Sequence, residues 1–200
     1  RFLTARGVPV PEYYDRAGRR LPADAPAEAV ARSEYEIALQ PGIHYAPHPA
    51  FAQDAQGRPR YIPLDPALLR QVQGIPDFPE TGTRELKADD YIYQIKRLAH
   101  PQVHSPIFSL MAEHIVGLRE LGEQLVAAQA AARQGGQEAP SPWLDLDRFP
   151  LAGVRKVDDY TYRIVLNGKF PQFLYWLAMP FFAPIPREVD QFYQQPGMAE

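Results

Sequence analysis

Ala88-Asp89-Asp90-Tyr91-Ile92-Tyr93-Gln94-Ile95-Lys96-Arg97-Leu98 is the stretch from which the fold can be read. Ile92, Ile95 and Leu98/Ala99 recur at helical spacing, so the stretch predicts a helix with one apolar face. Asp89 and Asp90 fall in the first turn and suit the positive end of the helix dipole. Lys96 and Arg97 suit the negative end. Pro101 follows, where proline commonly stands beyond a helix end.

Proline marks the other elements. The chain holds 22 prolines in 200 residues, about twice the usual 5%. They leave proline-free windows at 27–40, 80–100, 107–139 and 151–170, where helix interiors and central strands are allowed. In the first window Tyr35, Ile37 and Leu39 alternate with Glu36, Ala38 and Gln40, which predicts a strand with one buried face; Gly42 after Pro41 then turns the chain. In the third, Met111, Ile115, Leu118, Leu121, Leu125, Ala128 and Ala132 form one apolar stripe. Their spacing predicts a single helix of roughly 25 residues, ended by Gly135-Gly136, with Ala-rich last turns reaching into solvent.

The fourth window predicts a hairpin. Val154 and Val157 precede the turn formers Asp158-Asp159, and Tyr162, Ile164 and Leu166 then alternate with Thr161, Arg163 and Val165. Asn167-Gly168 marks a second turn. A short helix is expected after Pro171, with Phe173, Leu174, Trp176 and Leu177 on its apolar face. Strands and helices mix without regular βαβ alternation. The expected class is therefore α+β, a small mostly antiparallel sheet with packed helices.

Length favours one unit. Hydrophobic residues are 46% and charged residues 22%, the balance of a globular chain. There is no cysteine, which excludes disulfides and thiolate chemistry. Residues 1–100 carry 13 basic and 13 acidic side chains, and residues 101–200 carry 8 and 11. Neither half offers the basic footprint of a nucleic-acid binder. The apolar run Phe173 to Ile185 is interrupted by prolines and is too short for a membrane span. A signal peptide and an initiating Met are both missing, which points to a processed protein or a piece of a longer one.

Chemistry-bearing patterns are sparse. None of the four serines lies in a Gly-x-Ser-x-Gly elbow, and no phosphate loop is present. His44/His48 and His100/His104 have the spacing of a ligand pair on a helix, but both contain proline and read as loop histidines rather than a metal site. The pairs Asp89/Asp90 and Asp158/Asp159 could serve acid–base chemistry; a helix start and a turn explain them more simply. The 11 Tyr, 10 Phe and 2 Trp suit an aromatic core, with some left for a cleft rim. No cofactor is implied, and no catalytic residue stands out.

Four segments together resemble bacterial family 5 extracellular solute-binding proteins, the oligopeptide-, dipeptide- and nickel-binding receptors of ABC importers. Ala88 to Leu98 resembles the family's "A-x-D-V-x-Y-S-x-K-R". Tyr35-Glu36-Ile37-Ala38-Leu39-Gln40-Pro41-Gly42-Ile43-His44-Tyr45 resembles its "Y-x-F-x-L-R-x-G-x-x-F". Val157-Asp158-Asp159-Tyr160-Thr161-Tyr162-Arg163-Ile164 resembles "V-D-D-Y-T-V-R", and Phe173-Leu174 through Ala183-Pro184-Ile185-Pro186-Arg187-Glu188 resembles "F-L … P-K-E". The segments keep the family's order over about residues 35–188. The usual "H-D-G" is replaced by an insertion from Ala46 to Glu85.

The resemblance implies one subdomain of the first lobe of a two-lobed periplasmic binding protein. Residues 1–34 would be an irregular entry segment, 35–188 the family-like core and 189–200 an exit segment. It implies a noncatalytic, extracytoplasmic protein. The full-length receptor would bind a peptide or similar solute and partner the membrane subunits of an ABC importer. The motif residues Ala88, Asp89, Asp90, Lys96, Arg97, Asp158, Asp159, Tyr160 and Thr161 are then expected to be structural. The competing expectation is a protein-interaction module built on the long helix and the Pro-rich loops.

Overall fold

Alternation over the first window sets the middle of the sheet. The computed structural model describes residues 5–133 and 143–198. Its strands are β1 (Glu12–Tyr14), β2 (Arg20–Leu21), β3 (Arg32–Ala38), β4 (Val154–Asp158) and β5 (Thr161–Asn167). They form one sheet in the order β2-β1-β3-β5-β4 with every pairing antiparallel. The helices are α1 (Pro66–Leu69), α2 (Ala88–Arg97), α3 (Phe108–His114), α4 (Leu118–Arg133), α5 (Phe173–Leu177) and α6 (Arg187–Tyr193). The class is α+β, as the mixed order of elements indicated.

Register decides which side of the sheet is dry. Tyr35 pairs with Ile164 and Ile37 with Tyr162, so the alternating apolar residues of β3 and β5 share one face. That face is covered by Tyr91 and Ile95 of α2, Met111 of α3, Leu118, Leu121 and Leu125 of α4, and Phe173 of α5. Burying each such large apolar side chain contributes about 1.5–3 kcal/mol. Tyr35 meets Phe173 edge-on, with ring centroids 5.3 Å apart, and Tyr91 stacks on Tyr162 at 5.4 Å. The opposite face is charged and wet: Arg163 pairs with Glu36 at 2.6 Å and Arg20 with Glu12 at 2.7 Å.

The long helix is two helices. α3 stops at His114 and α4 begins at Leu118, with Gly117 at φ +79° between them, a conformation that favours glycine. The break is imposed by the sheet. Beyond Ile164 the edge of β5 has no β4 partner, and its polar groups need one. Val116 N–H donates to the Val165 carbonyl, and Val165 N–H donates to the Gly153 carbonyl, while Gly153 N–H reaches the Val116 carbonyl. The apolar stripe hid this because Met111, Ile115, Leu118, Leu121 and Leu125 all still face the same core. The Ala-rich end of α4 is solvent-exposed from Ala130 onward. The stop expected at Gly135-Gly136 lies outside the described residues.

Gly153 is also a point of close approach. A Cβ there would lie 2.3 Å from the Val116 carbonyl oxygen. Gly153→Ala should push the α3–α4 link off the edge of β5 and destabilise the chain by about 2–3 kcal/mol. Urea denaturation measures this, and a loss below about 0.5 kcal/mol would show that the link shifts freely.

Residues 1–34 are not irregular throughout, since β1 and β2 lie within them and pack a small cluster of Tyr13, Ala25 and Val30. At the other end α6 crosses the expected boundary at residue 188. The insertion from 46 to 85 has its base closed by bridges between His44 and Glu85 and between His48 and Gly82. Ala50, Ala52, Tyr61, Leu64 and Phe78 of this insertion surround Phe192 of α6 as a second core. No described helix is long and apolar enough to cross a membrane.

Candidate functional site

The motif residues converge where the insertion returns to α2. Asp90 is in the first turn of α2, yet its carboxylate is only 2% exposed. It accepts the Lys87 N–H at 3.0 Å, capping the helix start, and takes both terminal nitrogens of Arg84. Arg84 reaches on to Glu188 of α6, with its Nε and one terminal nitrogen each 2.9 Å from a carboxylate oxygen. One guanidinium therefore joins the end of the insertion, α2 and α6. Burial opposes the charge on Arg84, but the hydrogen bonds to Asp90 and Glu188 outweigh it and hold the proton more tightly than usual.

A second set of charges fastens α2 to the β4–β5 hairpin. Asp158 Oδ1 accepts the Tyr160 N–H at 2.8 Å and shapes the turn. Asp159 pairs with Lys156 and Lys87, each at 2.7 Å, and Lys156 also reaches Asp89 at 2.6 Å. The backbone N–H of Ala88 donates to the Asp159 carbonyl at 2.8 Å. Tyr160 donates its hydroxyl to Glu85 at 2.8 Å, and Thr161 is buried beneath the turn.

Hydrogen bonds from Lys156 first, then Lys87, lower the Asp159 carboxyl to a pKa of about 2. A carboxyl depressed on folding stabilises the native state above its unfolded pKa, near 4. That contribution is lost as pH falls from about 4 toward 2. Lys156→Met should move the Asp159 midpoint back toward 4 in a carboxyl-detected NMR titration. A midpoint unchanged by the substitution would assign the depression to another cause.

Further along α2, Arg97 donates its Nε to Asp190 of α6 at 2.9 Å. The same carboxylate accepts from the Tyr93 hydroxyl at 2.7 Å, from the Trp143 indole at 3.2 Å and from Gln194 at 3.3 Å. Burial, followed by the nearby Asp190 charge, raises the Tyr93 pKa and keeps its proton in place. Lys96 is buried, donates to the Leu146 carbonyl at 3.2 Å, and has its pKa lowered by that burial.

Cavities among the described residues adjoin this framework. One of about 370 Å³ lies among Arg84, Lys87, Asp89, Asp147, Arg187 and Glu188. Its cations already pair within the protein, Arg187 with Asp145 at 2.8 Å and with Asp147 at 3.3 Å. A second, of about 380 Å³, is walled by Tyr45, His48, Phe51, Ile185, Val189 and Tyr193. A third, of about 590 Å³, lies between α4 and the loop after α2, against His100, His104, Phe108, Arg119 and Val126. Among the described residues no group of three or more His, Asp or Glu could hold a metal ion.

Sequence reasoning placed Asp89, Asp90, Asp158 and Asp159 at a helix start and a turn, where they stand. It missed Arg84, which pairs with Asp90, and the acidic residues Glu85, Glu188 and Asp190 that hold Tyr160, Arg84 and Arg97. Glu188 ends a segment already singled out, and Arg84-Glu85 directly precedes the helix. Yet no periodicity shows that residues about one hundred positions apart share one guanidinium. His44 and His48 do not act as a pair: the first faces the Gly42 carbonyl at 3.1 Å, and the second caps Ala50.

No protein-family model matches the chain, and no curated protein matches it. Among solved structures the chain is similar to Listeria monocytogenes OppA bound to peptide, at 16% identity and a TM-score of 0.39. That alignment covers 92% of this chain and 25% of that one. It is also similar to the substrate-binding domain of an oligopeptide ABC transporter from Bacillus anthracis, at 17% identity and a TM-score of 0.40. There 95% of this chain aligns with 26% of the other. The chain spans about a quarter of the length of the structures it matches.

Proposed function

We propose that this chain is a subdomain of the first lobe of a periplasmic substrate-binding protein that captures peptides or similar solutes for an ABC importer. One observation carries the reading. The segments resembling the family's "A-x-D-V-x-Y-S-x-K-R" and "V-D-D-Y-T-V-R" are fastened to one another by Lys87–Asp159 and Lys156–Asp89. Lys87 and Lys156 directly precede the two segments, so stretches about seventy residues apart in sequence meet at their starts.

In this reading Asp89, Asp90, Asp158, Asp159 and Thr161 hold the subdomain together, and the main ligand cleft lies between this lobe and a second one that closes about a hinge. Extended peptides would be held there through backbone hydrogen bonds and bridging waters, without catalysis. The competing docking module loses the single helix from Met111 to Ala132 on which it was built, because α3 and α4 part at Gly117.

Sequencing the parent gene tests the proposal. An export signal upstream and a second lobe of several hundred residues downstream are expected. A catalytic domain without an export signal would contradict it.

A further inference from the structure

The cavity walled by Tyr45, His48, Phe51, Ile185, Val189 and Tyr193 has hydrogen-bond donors at its edge, and its one carboxylate is already engaged. His48 Nδ1 accepts the Ala50 N–H at 3.0 Å, and burial favours the neutral ring. The proton of that ring is therefore on Nε2, which lies 3.0 Å from the Tyr193 oxygen and donates to it. The Tyr193 O–H is left to donate elsewhere, and this side chain is 40% exposed.

Arg97 also lines the cavity. Its Nε is bonded to Asp190, while neither terminal nitrogen has a partner among the described residues. Asp190 is the acidic residue of the lining, and its oxygens already accept from Arg97, Tyr93, Trp143 and Gln194. A bound ammonium would find no open carboxylate there. A bound carboxylate would find two guanidinium nitrogens, in the planar geometry that matches its oxygens, and a phenol. The walls are aromatic and aliphatic, and a volume of about 380 Å³ falls within the range of small-ligand pockets, about 300–1,000 Å³.

We propose that this cavity binds a carboxylate carried on an apolar or aromatic group, with the group between Tyr45, Phe51 and Val189 and the carboxylate on Arg97 and Tyr193. Such chemistry is found in the C-terminal residue of a peptide and in a free aromatic acid. The site lies wholly within this chain and does not rest on the receptor reading.

Amide-detected NMR titration of the whole 200-residue chain tests it. The probes are N-acetyl-phenylalanine, its C-terminal amide, and an N-acetylated tripeptide ending in phenylalanine. Saturable shifts are expected around residues 45–51 and 185–193, with the amide at least about tenfold weaker than the acid. Arg97→Lys keeps a charge beside Asp190 but loses the planar fork, and should weaken the acid about tenfold. Tyr193→Phe should weaken it about threefold to fivefold; it also removes the acceptor of the His48 Nε2 proton, a loss of one hydrogen bond that leaves the chain folded, so the site remains testable even where Arg97→Lys perturbs folding. Binding of both acids assigns the site to either source, and binding of the tripeptide alone assigns it to peptide ends. Equal binding of acid and amide, no binding, or shifts confined elsewhere would overturn the proposal.

Discussion

Phe192→Ala is expected to destabilise the chain by about 3–5 kcal/mol and to melt the insertion from 46 to 85 before the sheet. Phe192 is 0% exposed and sits at the centre of the second core. Its ring meets His48 and Phe78 edge-on, each with centroids 5.4 Å apart, and Tyr61 packs on Phe78 behind it at 5.1 Å. The insertion contributes five of that core's buried residues, and Phe192, reaching in from α6, is the most completely buried of them all. Removing the ring leaves a void that short, proline-bounded segments cannot close. Hydrogen exchange should show amides of 48–82 losing protection while those of β3 and β5 keep theirs. Uniform loss across the chain would mean that the two cores unfold as one.

Arg84→Met should cost about 3 kcal/mol. The methionine keeps much of the volume and removes the charge, leaving the buried Asp90 carboxylate with the backbone N–H of Lys87 as its remaining donor. An isolated buried carboxylate is expensive, whereas a buried pair contributes little net stability beyond its desolvation cost. The cost lies at the low end of the usual range because the Arg84 side chain is 28% exposed and water reaches it. Adding Asp90→Asn should recover at least half of the loss, since asparagine can still accept the Lys87 N–H. A double mutant no more stable than Arg84→Met would show that Arg84 acts through its packing on Tyr45 and Phe51 instead, over whose rings it lies at 5.6 and 5.7 Å.

The sheet centre and α2 were legible because their information is local. Tyr35 and Ile37 alternate within one strand, and Ile92, Ile95 and Leu98 repeat within one helix. Elements whose existence depends on distant partners were not. β1 and β2 are three and two residues long, too short for alternation to register. The split at Gly117 follows from hydrogen bonds that β5 requires, while the side-chain stripe runs on unbroken. For the site, a single acidic pair looks alike whether it is solvated or clamped. Asp89 pairs at the surface and Asp90 beneath it, and only the return of the insertion to place Arg84 separates the two.

The central claim is that the main ligand cleft needs a lobe beyond this chain. Calorimetric titration of the complete gene product with a mixed peptide library should show micromolar or tighter binding. The 200-residue chain alone should show at most the weak, carboxylate-dependent event assigned to the Arg97 cavity. A complete product that binds no peptide, or an isolated chain that binds the library as tightly as the complete product, would contradict the account.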